Sequence, residues 1–174
     1  MPVPIESFRM PRYQDIPDVG LYLDQTVKYI NRYLEPLGCL EITASMVSNY
    51  VKRGYIANPV KKQYDREQIA YLLFLAIAKS VLPMEHINRL FAMQKQTYSS
   101  EVAYNYFCVE LEKALQATFS TRDFSAPSSA NRVTPESELV RSSALCFANK
   151  MFSMKYLEYV SILWKEQDAH PQKP

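Results

Sequence analysis

Residues 69–78, IAYLLFLAIA, constrain the fold of this chain more than any other part of its sequence. Their apolar side chains surround the helix axis instead of forming one stripe, so other elements must cover this helix on every side. The apolar run is only ten residues long, whereas a membrane-spanning helix needs about 20. We therefore predict a central buried helix over residues 65–81, with the rest of the chain packed around it.

Apolar residues elsewhere recur at intervals of three and four, which is the spacing of helices, so we expect an all-α fold. The other predicted helices cover residues 21–34, 43–53, a stretch from 84, 99–119 and 135–167. Asp18 is a candidate start for the first of them. In the last helix two apolar stripes recur, so it needs two neighbours: its own chain and, as a first choice, a partner subunit. A wider core within one chain is the alternative.

The chain divides into three predicted parts. Residues 1–20 contain four prolines and form an extended arm that lies on the domain or stays loose. Residues 21–96 form the main domain, and residues 97–170 form a helical C-terminal region. Within that region, residues 120–135 are rich in Ser, Ala, Pro and Thr, which favours a loop.

The segment 43–64, TASMVSNYVKRGYIANPVKKQY, predicts a short helix, a glycine stop and a tight basic loop. Thr43 is a candidate N-cap, and Gly54 stands where helices end in a left-handed residue. Helical spacing puts an apolar set on one face and a polar set on another. The apolar set is Met46, Val47, Tyr50 and Val51; the polar set is Ser45, Ser48, Asn49 and Lys52.

All charges in this segment are positive, although the whole chain carries only +2. The cations are Lys52, Arg53, Lys61 and Lys62. Small polar groups with cations beside them suit the base edges and phosphates of a DNA major groove. An ordinary solvated face is the alternative, because such faces are common on short helices.

A very short hairpin is expected after Gly54, in which residues 55–56 pair with residues 63–64 and the two lysines lie near the tip. In a winged helix this element is called a wing. Asp65 then begins the central helix, with Gln68 three residues later as in a capping box.

Motifs for catalysis or metal binding are missing from the sequence. It contains no glycine-rich phosphate loop, no catalytic serine motif and no zinc-protease motif. Glu85-His86 has no second ligand at i+4, and Cys39, Cys108 and Cys146 lack metal-site spacing. We therefore expect no enzyme, cofactor or metal, and three buried free thiols in a reducing cytosol. We also expect a cytoplasmic protein, since neither a signal peptide nor a membrane span is indicated.

Aromatic residues are plentiful, with 13 tyrosines and 8 phenylalanines. Four of them are candidates for a small-ligand pocket between the N-terminal unit and the last helix: Tyr98, Tyr104, Tyr106 and Phe107. Aromatic residues at helical spacing are more often part of a core, which is the alternative for all four.

The pattern DQ, T-x-x-M-[IV]-x-N-Y-V-K and P-x-K-K-x-Y resembles an uncharacterised bacterial domain family, over about residues 10–96. Here it begins at Asp24-Gln25, continues from Thr43 to Lys52 and ends at Tyr64. More distantly, the chain is similar to the MerR-type winged helix, at Tyr50, Lys52 and Gly54. It departs at Ser48, where that pattern has arginine. Its wing is shorter, and it lacks the long dimerisation coiled coil and the metal-sensing cysteines.

The resemblance implies a helix-turn-helix with a short wing, followed by a C-terminal helical extension. It implies a DNA-binding transcriptional regulator whose partner is double-stranded DNA. The two apolar stripes of the last helix, and not the resemblance, add a second copy as a candidate partner through the C-terminal helices. The DNA-binding residues would be Ser45, Ser48, Asn49, Lys52, Arg53, Lys61, Lys62 and Tyr64. The alternative is a protein–protein interaction or small-ligand-sensing module on a helix-turn-helix fold that no longer contacts DNA.

Overall fold

The computed structural model describes residues 4–125 and 128–169, which form six α-helices and one two-stranded sheet. Small parts of the predicted arm (residues 1–3), loop (126–127) and C-terminal region (170) lie outside the described residues. In chain order the elements are β1 (Leu21–Tyr22), α1 (Leu23–Leu34), α2 (Ala44–Lys52), β2 (Gln63–Tyr64), α3 (Arg66–Ala78), α4 (Met84–Thr97), α5 (Ser100–Gln116) and α6 (Pro135–Ala169). The fold is all-α, as predicted.

The central helix α3 is buried on nearly every side, as its composition predicted. The Asp65 carboxylate accepts from the Gln68 backbone N–H at 2.8 Å, and the Gln68 side chain accepts from the Asp65 N–H at 2.8 Å. This capping box satisfies two backbone donors that a helix start otherwise leaves unpaired. It fixes the residue at which the basic loop ends and the core begins.

The two-stranded sheet differs from the predicted hairpin. Gln63 and Tyr64 pair antiparallel with Tyr22 and Leu21, not with residues 55–56. Gly20 lies so close to this pairing that a Cβ there would stand 2.7 Å from the Gln63 Cβ, which no other residue type could accommodate without a shift. Because residues 21–22 are held as a strand, α1 starts at Leu23 and Asp18 does not begin it.

The N-terminal arm lies on α5, which decides between the two alternatives left open for it. Phe8, Met10 and Ile16 are buried in the same hydrophobic core as α3 and α5. The arm is fixed at Arg12, whose guanidinium donates two hydrogen bonds of 2.7 Å to the Glu112 carboxylate. The same carboxylate accepts from the Met10 backbone N–H at 2.8 Å.

The prediction of three buried thiols is wrong for two of them. All three cysteines are free, but Cys39 and Cys146 are exposed and only Cys108 is buried. Burial raises the pKa of the Cys108 thiol to about 12, so this side chain stays neutral and packs as a small hydrophobic group.

The last helix, α6, has a packed first half and an exposed second half. Ala144, Phe147 and Met151 are buried, and α5 packs along this part of the helix. Beyond Met151, Leu157 is 67% exposed and Trp164 is 65% exposed. The intramolecular core therefore covers α6 only as far as about residue 152. Within the described chain, no helix is both long and apolar enough to cross a membrane.

Candidate functional site

The turn between α1 and α2 is fixed by one side chain, Asn31. Its amide donates to the Ile42 carbonyl at 2.8 Å and its oxygen accepts from the Ile42 N–H at 2.9 Å. Because Asn31 lies on α1 and Ile42 directly precedes Thr43, the residue that caps α2, these two bonds set where the second helix begins relative to the first. This role of Asn31 was not predicted, since a single polar residue in an amphipathic helix looks like part of its solvated face.

Helix α2 presents its polar face to solvent. Thr43 caps it, since its hydroxyl accepts from the Met46 N–H at 3.1 Å, as predicted. Val47 and Tyr50 are buried beneath the helix. The exposed residues on or beside its outer face are Ser45, Ser48, Asn49, Lys52 and Arg53.

The end of α2 is closed by backbone hydrogen bonds. Gly54 has φ +76°, in the left-handed region that favours glycine, as predicted. The N–H groups of Tyr55 and Ile56 then bond to the Tyr50 carbonyl, at 2.9 Å and 3.4 Å. These two residues therefore terminate the helix, which is why they do not serve as a strand.

Lys61 and Lys62 form the two central residues of a tight turn. Val60 and Gln63 exchange backbone hydrogen bonds of 3.1 Å and 2.9 Å across it. The φ angles of the two lysines are 50° and 64°. Positive φ at both central residues defines a type I′ turn, where Asn-Gly is the preferred sequence. Both lysine side chains are exposed at this turn, which we call the lysine turn.

The lysine turn is attached to the central helix through Gln68. Besides closing the capping box, the Gln68 amide donates to the carbonyls of Ala57 and Asn58, at 2.9 Å and 3.2 Å. A single buried side chain thus holds the loop that leads from α2 into the turn. The geometry between α2 and the lysine turn is therefore supported from the core.

Tyr64 does not join this surface, contrary to the prediction that it contacts DNA. Its side chain is only 4% exposed, and burial raises the pKa of its hydroxyl. Residues alternate sides along a strand, so Tyr64 takes the inward position beside the half-buried Gln63. The other seven predicted DNA-binding residues are exposed.

The lysine turn yields a prediction on stability. We expect Lys61→Asn with Lys62→Gly to raise the free energy of unfolding by about 1–2 kcal/mol, because a non-glycine residue in the left-handed region costs about that much. Urea unfolding measures the change. Lys61→Ala with Lys62→Ala removes the same charges but keeps Cβ atoms at positive φ, and should give no gain. Equal stability of the two double variants would contradict the turn geometry.

A second feature is a cavity of about 320 Å³ between α3, α4, α5 and the start of α6. All four aromatic residues predicted for a ligand pocket line it: Tyr98, Tyr104, Tyr106 and Phe107. The structure therefore brings them together between the N-terminal unit and the last helix. Whether a ligand occupies the cavity stays a prediction.

Glu110 and Glu112, two residues apart on α5, take separate partners. Glu112 holds Arg12 of the arm, whereas Glu110 accepts from the Ser129 backbone N–H at 2.7 Å and from its hydroxyl. Both carboxylates are buried. Neither partner was predicted, because both lie far away or in an irregular segment.

Comparison with known families gives one match. The family described as a domain of unknown function, DUF1836, matches residues 11–107, more than half of the chain. This range contains α2, the lysine turn and the four cavity aromatics, while α6 lies beyond it. Neither the curated proteins nor the solved structures gave a match, and the MerR-type resemblance stays a prediction. The sequence pattern pointed to an uncharacterised domain family, and the chain belongs to DUF1836.

Proposed function

We propose that this protein binds double-stranded DNA and regulates transcription, with α1 and α2 acting as a helix-turn-helix and the lysine turn as a short wing. The observation that carries this proposal is the exposed polar face of α2 together with two exposed lysines on a turn tied to the same core. Ser45, Ser48 and Asn49 would face base edges, where small polar groups can read donors and acceptors. The nearby cations would contact phosphates.

The backbone of the lysine turn supports this assignment. Left-handed conformations of non-glycine residues cost free energy and often occur at functional sites. A turn selected for stability alone would carry Asn-Gly, yet two adjacent lysines occupy it here. Two adjacent, exposed cations on a tight turn are an arrangement suited to a phosphate backbone.

Binding to DNA is tested directly by selection of bound fragments from a genomic library, followed by fluorescence anisotropy on an enriched duplex. We expect saturable binding at 50 mM salt that weakens steeply by 200 mM, because phosphate contacts release counterions. No binding at low salt would remove the proposal. Capture of a protein, with no enriched DNA, would favour an interaction module instead.

We also propose that the second half of α6 pairs with the same helix of a second copy. Glu158 and Lys165 follow Met151 at steps of seven, so polar residues occupy the side that packed on the core. Over residues 156–164 a different side of α6 is apolar, and this side is exposed or partly exposed. Its residues, at the spacing i, i+1, i+4, i+7 and i+8, are Tyr156, Leu157, Val160, Leu163 and Trp164.

Such spacing is that of a helix that packs against another helix. Two copies would cover each other's apolar sides by a two-fold symmetric contact, the commonest arrangement of soluble oligomers. A dimer would also present two copies of α2 to DNA, as helix-turn-helix dimers do at paired half-sites.

We expect Leu157→Lys to convert the dimer to a monomer, because it places a charge on the apolar side, at a position that is 67% exposed in the single chain. Ile162→Lys is the matched control, since Ile162 is similarly exposed but lies on the opposite side of the helix. Mass in solution, from light scattering over a concentration series, distinguishes the two. A monomeric wild type, or a monomer with both variants, would contradict the proposed pairing.

A further inference from the structure

We propose that the cavity between α3, α4, α5 and α6 binds a small, mainly apolar aromatic molecule. This inference goes beyond DNA binding and does not depend on it. The cavity volume of about 320 Å³ lies at the lower end of the range for ligand pockets, about 300–1,000 Å³. The cavity walls come from α3 and α4 of the main domain and from α5 and α6 of the C-terminal region. Aromatic side chains form much of these walls.

The tyrosine hydroxyls and the Gln94 side chain on the cavity wall are already hydrogen-bonded within the protein, whereas Asn131 and Arg132, which also line the cavity, are exposed. The Tyr71 hydroxyl donates to the Gln94 side-chain oxygen at 2.6 Å, and the Gln94 amide donates to the Tyr98 carbonyl at 2.7 Å. The Tyr106 hydroxyl donates to the Ser137 carbonyl at 3.2 Å. A ligand with many polar groups would lose its hydration without finding partners, which costs free energy. The cavity therefore favours a ligand that is mainly apolar.

The arrangement of the rings favours a planar aromatic ligand over a branched aliphatic one. Tyr71 meets Phe91 edge-on at 4.6 Å between ring centroids, and Phe74 meets Phe107 edge-on at 4.7 Å. Edge-on pairs present both ring faces and ring edges to the space beside them. Offset or edge-to-face contacts with a further ring are the favourable geometries for such a wall.

The cavity is smaller than the volume that one turn of a partner helix fills. One turn of a helix, about 10 Å across and 5.4 Å long, fills about 400 Å³. Residues 130–132 also line the cavity, and hydrogen bonds hold this segment at both ends. Ser129 is bound by Glu110 before it, and the Tyr98 hydroxyl donates to Thr134 at 3.2 Å after it.

The test uses 2-naphthol as the probe and isothermal titration calorimetry on the full chain. We expect saturable binding with one site per chain. Ala103→Phe fills the cavity from α5 and Val140→Phe fills it from α6, and each should weaken binding at least tenfold. Ala92→Phe adds the same ring to an exposed position on α4, outside the cavity lining, and should leave binding unchanged.

Thermal unfolding identifies the fill variants that keep the fold, and one folded fill variant is sufficient for the comparison. Absence of saturable binding to the wild type would overturn the proposal. Binding that survives in a folded fill variant would also overturn it, because the probe would then occupy another surface. Failure of DNA binding in the same preparation would not affect either result.

Discussion

Replacing Glu112 by alanine is expected to lower the free energy of unfolding by about 3 kcal/mol. The loss arises because this buried carboxylate accepts three of the hydrogen bonds that tie the N-terminal arm to α5. Removing one partner of a buried ion pair costs about 3–5 kcal/mol, since the remaining groups stay desolvated and unpaired. The Glu112 side chain is 10% exposed but that of Arg12 is 33% exposed, so water can partly solvate the released guanidinium and the lower end applies.

Removal of the Glu112 carboxylate should also change the structure of the N-terminal arm. Without Glu112, the Met10 N–H loses its 2.8 Å acceptor. Phe8 and Met10 are then held to the core by apolar contacts, while Pro11 and Tyr13 keep their hydrogen bonds to α5. The arm should then open before the rest of the fold. Urea unfolding measures the stability, and limited proteolysis followed by mass spectrometry locates cleavage within residues 4–20.

Two further variants serve as controls. One removes the charge of residue 112 but keeps its size, and the other removes an exposed carboxylate elsewhere. Glu112→Gln keeps the size and one acceptor for Met10 but removes the charge, so its loss should be smaller than that of the alanine variant. Glu166→Ala changes an exposed carboxylate on α6 and should fall within about 0.5 kcal/mol of the wild type. A similarly small loss for Glu112→Ala would show that the arm does not depend on this contact.

The helices could be predicted because their signals are local. The Thr43 cap reaches Met46 and the Asp65 cap reaches Gln68, both within three residues. The burial of α3 followed from composition and length together, since a helix that is apolar all round and too short to span a membrane must lie in a core. The exposure of Ser45 and Asn49 followed from the helical period once their apolar neighbours were placed inside.

The contacts that were missed join distant residues or irregular segments. Leu21 pairs with Tyr64, and Arg12 meets Glu112, with no periodic signal on either side of the contact. The two-residue strands are too short for alternation to show, so the partner of Gln63 was assigned to the nearest apolar pair. Tyr64 was predicted to contact DNA, whereas it pairs with Leu21 and its side chain is buried.

The aromatic cavity shows a different limit of sequence analysis. Tyr104 and Phe107 are buried, as core residues are, and they also line an open volume. Periodicity predicts which face of a helix turns inward, but it does not predict whether the packing there is complete. That depends on how four helices and residues 130–132 meet, which only the structure shows.

Replacing Lys52, Lys61 and Lys62 together by alanine is expected to lower affinity for DNA about 500-fold at 0.1 M salt. Each phosphate contact contributes about 0.9 to the slope of log affinity against log salt. Between 1 M and 0.1 M salt, one decade, each contact therefore contributes about 0.9 log unit of affinity. Three lost contacts therefore reduce the slope by about 2.7. Fluorescence anisotropy over a salt series measures both quantities, and the fold should persist because all three side chains are exposed.

Net charge must be separated from local geometry, because any loss of lysines weakens attraction to DNA. The control variant replaces Lys95, Lys113 and Lys165, which lie on α4, α5 and α6, so both triple variants change the formal charge from +2 to −1. If α2 and the lysine turn form the phosphate contacts, the control keeps the wild-type slope within about half a unit, since distant charges are screened beyond about 10 Å at this salt. Equal slopes in the two variants would instead indicate a diffuse field, and the helix-turn-helix assignment would then have no support from binding.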